Sequence, residues 1–104
     1  MIKSLSKEDY PILERYMHNY HSMVDTYKNK PSDMKELQYM NLESIVKGIT
    51  QVYNESEVKI QQIIKLTWWD DKKYTDEVIG VSELTLRHAK EVILKRVAKA
   101  VEYV

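Results

Sequence analysis

The sequence predicts an all-α protein, and three observations carry that prediction. The 104 residues include only 2 Gly and 2 Pro, so few sites for tight turns exist. Apolar residues recur three and four positions apart through long stretches, the spacing of one face of an α-helix. The stretches are separated by short segments rich in helix breakers and caps, such as KNKPSD at 28–33 and Asn54–Ser56.

The first helix is expected to start after Ser6, a capping residue, with Glu8 and Asp9 favourable in its first turn. Pro11 falls within or just past that turn, where a missing N–H does little harm. Its apolar stripe is Leu13, Tyr16/Met17, Tyr20, Met23/Val24 and Tyr27, a spacing that also suits a short coiled coil. Asn29 and Pro31 end it, and Ser32 or Asp33 starts a second helix running to about Tyr53. The second stripe is Leu37, Met40, Leu42, Ile45/Val46, Ile49 and Val52/Tyr53. Gly48 inside it costs about 1 kcal/mol relative to Ala, which points to a close helix crossing there. Ser56 is expected to cap a third helix through about Trp68. Val58, Ile60, Ile63, Ile64 and Leu66 make that helix apolar on more than one side, as a buried centre would be. Trp68 and Trp69 read as a plug for the helix end against the core. The expected organisation is a helical arm or hairpin over 1–54 and a second unit over 55–104.

Several function classes lack support. Cys is absent, which rules out disulfides and thiolate metal sites and suits a cytoplasmic protein. No apolar run approaches the ~20 residues of a membrane span, and the N-terminal MIKSLSKEDYP lacks the apolar middle of a secretory signal. His18, His21 and Asp25 have a spacing that metal sites use, but they read as surface residues of an amphipathic helix. The pairs Asp70–Asp71 and Asp76–Glu77 have no nucleophile or phosphate-cradling loop beside them, so capping and solvation explain them. Neither an enzyme nor a cofactor is expected.

Net charge is zero, with 16 basic and 16 acidic residues, but the distribution is uneven. Residues 1–54 balance at 7 of each, residues 55–81 carry 4 basic and 6 acidic, and residues 82–104 carry 5 basic and 3 acidic. Within Leu84–Lys99 the cations Arg87, Lys90, Lys95, Arg96 and Lys99 face Glu91 alone.

That late segment has the layout of a helix-turn-helix. Gly80 supplies the positive φ of the turn, and Ile79 and Val81 anchor it from either side. Ser82 caps the second helix. Five and eight places after Val81 stand Leu86 and Ala89, which must face inward, and the stripe continues through Ile93, Val97 and Val101. Asp70 or Asp71 can cap the first helix of the pair, with Thr75 and Ile79 inward; Asp76 stands where such motifs usually place a small residue. Helical spacing then turns Glu83, Leu84, Arg87, His88 and Glu91 outward, with Thr85 and Lys90 beside them. In a DNA-binding role the early positions face base edges in a major groove. Arg87 suits two hydrogen bonds to guanine, and His88 can donate to a base or phosphate. Ser82 and Thr85 can reach phosphates, and Lys90, Lys95, Arg96 and Lys99 supply attraction to any DNA sequence.

The stretch LTWWDDKKYTDEVIGVSELTLRHAKEVILKRVAKAV resembles the helix-turn-helix of sigma-factor region 4. The preceding NLESIVKGITQVYNESEVKIQQIIKLTWW is similar to bacteriophage late-transcription regulators of the RinA/ArpU kind. The shared features cover about residues 41–101. The resemblance implies an N-terminal helical arm followed by a sigma-region-4-like domain, in a phage or prophage activator that binds promoter DNA and assists the host RNA polymerase. The Leu13–Tyr27 stripe then has three readings: packing on the second helix, a homodimer seam, or contact with polymerase. Two other functions fit the same residues: a small terminase subunit that marks DNA for packaging, and a helical adaptor or anti-repressor without DNA binding.

Overall fold

A computed structural model describes residues 5–70, 80, 82–101 and 103. Among these the fold is all-α, with five helices and no strand. They are α1 (Asp9–His18), α2 (Tyr20–Asn29), α3 (Glu36–Glu55), α4 (Val58–Ile64) and α5 (Glu83–Ala100), and α4 continues into one π-helical turn, Lys65–Trp69. The first helix of the expected helix-turn-helix, with Asp71, Thr75, Asp76 and Ile79, and the anchor Val81 lie outside the described residues. No helix among the described residues is long and apolar enough to cross a membrane.

The single N-terminal helix expected over 6–27 is two helices, divided at Asn19 (φ −92°, ψ 3°). The bend aims two parts of one stripe at different partners: α1 packs on α5 and the π-helical turn, and α2 packs on α3. Leu13 and Met17 are fully buried, while Tyr20 and Met23 are half-buried against the same core. Intramolecular packing therefore accounts for this stripe. The start of α1 also differs from expectation. Ser6 does not cap it; instead Asp9 reaches back and accepts from Ser6 N at 2.7 Å and Ser6 Oγ at 3.1 Å.

Lys30, in the left-handed region (φ 43°), ends α2 just before Pro31. The next helix begins at Glu36, later than Ser32 or Asp33, and Gln38 Oε1 accepts the Lys35 N–H at 3.3 Å. Ser56 serves the end of α3 rather than the start of α4. Its Oγ donates to the Val52 carbonyl at 2.6 Å, satisfying an acceptor that the ending helix leaves free, and Glu57 stands at the start of α4.

One hydrophobic core joins all of these elements. It comprises Leu13 and Met17, Ile49 and Val52, Ile63, Ile64 and Trp68, and Ile93, Leu94, Val97, Ala98 and Val101. The core thus draws on residues from both sides of position 54. The crossing that Gly48 signals lies between α3 and α5: a Cβ there would sit 2.6 Å from Val101 Cγ1 and 2.8 Å from the carbonyl carbon and oxygen of Ala100. Only a glycine lets the two backbones come this close.

The π-helical turn closes with Asp70 N–H donating to the Lys65 carbonyl at 2.6 Å. It ends the helix with its two tryptophans on different partners. Trp68 is 2% exposed within the core, whereas Trp69 stacks on Tyr20 (5.1 Å between ring centroids) and tilts against Tyr53 (4.9 Å). Both therefore act as a plug. Two other apolar expectations fail at the surface. Leu37 and Met40 of the α3 stripe are 69% and 56% exposed, and Val58 of α4 is 71% exposed. On α3, the inward side at this level is taken by Tyr39, which stacks on Tyr27 of α2 at 5.3 Å.

Candidate nucleic-acid interface

Local chemistry starts α5 as its sequence requires. Gly80 has φ +80°, a conformation that costs other residues strain. Ser82 is extended (φ −68°, ψ 157°) and its Oγ accepts the Thr85 N–H at 3.1 Å, while donating to Thr85 Oγ1 at 2.8 Å. Glu83 occupies the first turn, where the helix dipole favours an anion. Leu86 and Ala89 are half-buried against the core, and Ile93 and Val97 are buried, so the inward face is the one their spacing predicts.

Most of the candidate contact residues share the opposite surface. Ser82, Glu83, Leu84, Thr85, Arg87, His88, Glu91, Lys95, Arg96 and Lys99 are all exposed. By helical spacing Leu84, His88, Glu91, Lys95 and Lys99 follow one outward line; Arg87 lies on one flank of it, Thr85 and Arg96 on the other. Arg87 makes an i,i+4 pair with Glu83 at 3.7 Å, with both side chains largely exposed. Such a pair is screened by solvent and is worth little, so Arg87 can exchange it for a stronger acceptor. Arg96 and Lys99 also border a shallow hollow of about 540 Å³ against Gln51, Glu55 and Ser56 at the end of α3.

Lys90 does not join them. It is half-buried, its Nζ lies 3.6 Å from Glu14 Oε1 of α1, and it sits 5.9 Å above the Trp68 ring. Trp68 Nε1 donates to the same Glu14 oxygen at 3.3 Å, and His18 Nδ1 lies 3.2 Å from the Trp68 carbonyl. Glu14 and His18, one turn apart on α1, thus tie down the π-helical turn, and Glu14 also holds α5. Sequence reasoning passes over Glu14 and reads His18 only as a surface residue of an amphipathic helix, because their partners lie fifty or more residues away. His21 packs its ring 4.8 Å from Trp69. Among the described residues no group of three or more His, Asp or Glu has a metal-binding arrangement.

Two tyrosines ionise late. Tyr103 is pushed up to about 12, chiefly by donating to Asp9 Oδ1 at 2.6 Å and further by burial and the Asp9 charge. Tyr27 is pushed up to about 12 by donating to Glu43 Oε2 at 2.8 Å, with burial adding to it. Neither belongs to the α5 surface; both clamp the helices that support it.

The chain matches no protein-family model, no curated protein and no solved structure.

Proposed function

We propose that this chain is a sequence-specific DNA-binding regulator of transcription, using α5 as the recognition helix of a sigma-region-4-like helix-turn-helix. The observation that carries the reading is the start of α5. A left-handed Gly80 and a capping Ser82 launch a helix whose inward side is anchored by Leu86 and Ala89 and whose first turns stand free on the surface. That surface carries Arg87 and His88 early and Lys95, Arg96 and Lys99 late. In this reading Arg87 grips a guanine edge, and the later cations attract phosphates regardless of sequence. Lys90, held by Glu14, is left out of the contact set. The resemblance to phage late regulators makes the host RNA polymerase the protein partner and activation of phage or prophage late genes the task.

The test begins with selection of bound DNA fragments, followed by mobility shifts on the selected site and on unrelated DNA. Arg87→Ala should weaken the selected site by about 1–3 kcal/mol and leave unrelated DNA nearly unchanged. Lys99→Ala should weaken both alike and lower the salt slope by about 1. A wild-type protein that retains no DNA at low salt overturns the reading. A second reading, an adaptor that uses the same helix on a protein, draws on Leu84, which is 73% exposed at the start of the outward line. It predicts that Leu84→Ala abolishes a protein contact without affecting DNA retention.

A further inference from the structure

Where α1 meets α5, one carboxylate oxygen serves two partners of different kinds. Glu14 Oε1 accepts the Trp68 indole N–H at 3.3 Å and lies 3.6 Å from Lys90 Nζ. The Lys90 and Glu14 side chains keep 32% and 37% of their surface exposed, and their separation exceeds the roughly 2.7–2.9 Å of a charge-assisted hydrogen bond. A partly solvated pair of this kind is weak, so a stronger anion displaces it at small cost. The indole bond does not depend on the lysine and keeps Glu14 in place when the ammonium leaves. Lys90 follows Arg87 by three residues, so its stem rises from the same flank of α5 one turn further on. Among the described residues, Lys90 is the one cation of α5 in an ion pair with another helix; Arg87 pairs within α5, and no ion pair engages Lys95, Arg96 or Lys99.

We propose that Glu14 is an internal rival of the DNA backbone for Lys90, and that it thereby sets the strength and salt sensitivity of sequence-independent binding by α5. The inference rests on the DNA-binding reading and adds a residue of α1 that regulates the same surface. In the free protein the Glu14 charge offsets that of Lys90, so this flank of α5 offers less attraction than its residues suggest. A phosphate that recruits Lys90 must first part it from Glu14. It then leaves that carboxylate, still bonded to Trp68, beside a polyanion. Both effects oppose binding to every DNA sequence, because neither involves a base edge. Removing the Glu14 charge while keeping its oxygen for Trp68 therefore releases one cation to the backbone without loosening the π-helical turn.

Mobility shifts of the full chain on unrelated DNA, between about 50 and 200 mM salt, test this. Glu14→Gln should tighten binding by about three- to tenfold at the low end and steepen the salt slope by about 0.9, one extra phosphate contact. The double variant Glu14→Gln/Lys90→Gln has the net charge of the wild type and should return to its affinity and slope. Asp25→Asn, the same change of net charge at an exposed position of α2, should leave the slope unchanged. Circular dichroism confirms that each variant is folded. A Glu14→Gln protein with the affinity and slope of the wild type overturns the proposal and leaves the DNA reading standing. So does a double variant that keeps the gain, or an equal gain in Asp25→Asn. A double variant that binds more weakly than the wild type also overturns it, because Lys90 would then already contact DNA in the wild type. A wild type that retains no DNA at low salt overturns the DNA reading and this proposal together.

Discussion

Replacing Gly48 by Ala adds one methyl group at the tightest contact between α3 and α5, and two effects of known sign oppose each other. In a free helix the change stabilises by about 1 kcal/mol, since Ala loses less backbone entropy than Gly. Here the new Cβ would lie 2.6 Å from Val101 Cγ1 and 2.8 Å from the Ala100 carbonyl carbon and oxygen. Carbon atoms rest about 3.5–4.0 Å apart, so the shortfall is close to 1 Å. Val101, 7% exposed, has little room to rotate, and the Ala100 backbone moves only if the last turn of α5 moves. That turn carries Val97 and Ala98, both fully buried, so the shift spreads into the core. Overpacking of this kind costs about 1–3 kcal/mol or more, and it outweighs the propensity gain. Gly48→Ala should therefore destabilise by roughly 1–2 kcal/mol, lowering Tm by roughly 5–15 °C for a domain of this size. Thermal and urea unfolding followed by far-UV circular dichroism measure it. In a double-mutant cycle with Val101→Ala, the side-chain part of the clash should be relieved and the backbone part should remain. A Gly48→Ala protein that is more stable by about 1 kcal/mol would refute the reasoning, because propensity alone would then be acting.

Two further outcomes follow from local geometry. Ser82→Ala removes the acceptor of the Thr85 N–H and should cost about 1 kcal/mol, with faster hydrogen exchange confined to the first turn of α5; unchanged exchange there would count against the cap. Tyr103 and Tyr27 should titrate near 12 rather than 10. Since the folded state favours the neutral phenol, the stabilisation from each is complete below about pH 10 and is lost as pH rises through about 12. An absorbance titration of the folded protein should show a late fraction that shrinks in Tyr103→Phe, and ionisation of all tyrosines together near 10 would contradict the Asp9 and Glu43 contacts.

Much of the candidate interface was legible in the sequence. Gly80 marks a backbone conformation that other residues avoid, Ser82 marks a cap, and the period of Leu86, Ala89, Ile93 and Val97 fixes which side of α5 faces inward. Each of these signals acts within one or two turns of helix. The charged residues on the same helix were not equally legible. Spacing assigns Lys90 to the flank of the outward face, yet its ammonium meets Glu14, 76 positions earlier in the chain, beside the Trp68 ring. The two carboxylate latches, Asp9 with Tyr103 and Glu43 with Tyr27, likewise have no local signature.

The sequence by itself therefore determined the helical class, the break at Lys30–Pro31, the close approach at Gly48 and the inward side of α5, because caps, φ preferences and periodicity are short-range properties. Only the tertiary structure decided the division of the first helix at Asn19, the burial of Leu13 and Met17 in a core shared with α5, and the exposure of Leu37 and Met40. Apolar periodicity says that a helix has a face to cover. What covers it depends on where the other helices come to lie, and at the N-terminal end of α3 the α2 helix packs on the Tyr39 side, leaving Leu37 and Met40 exposed.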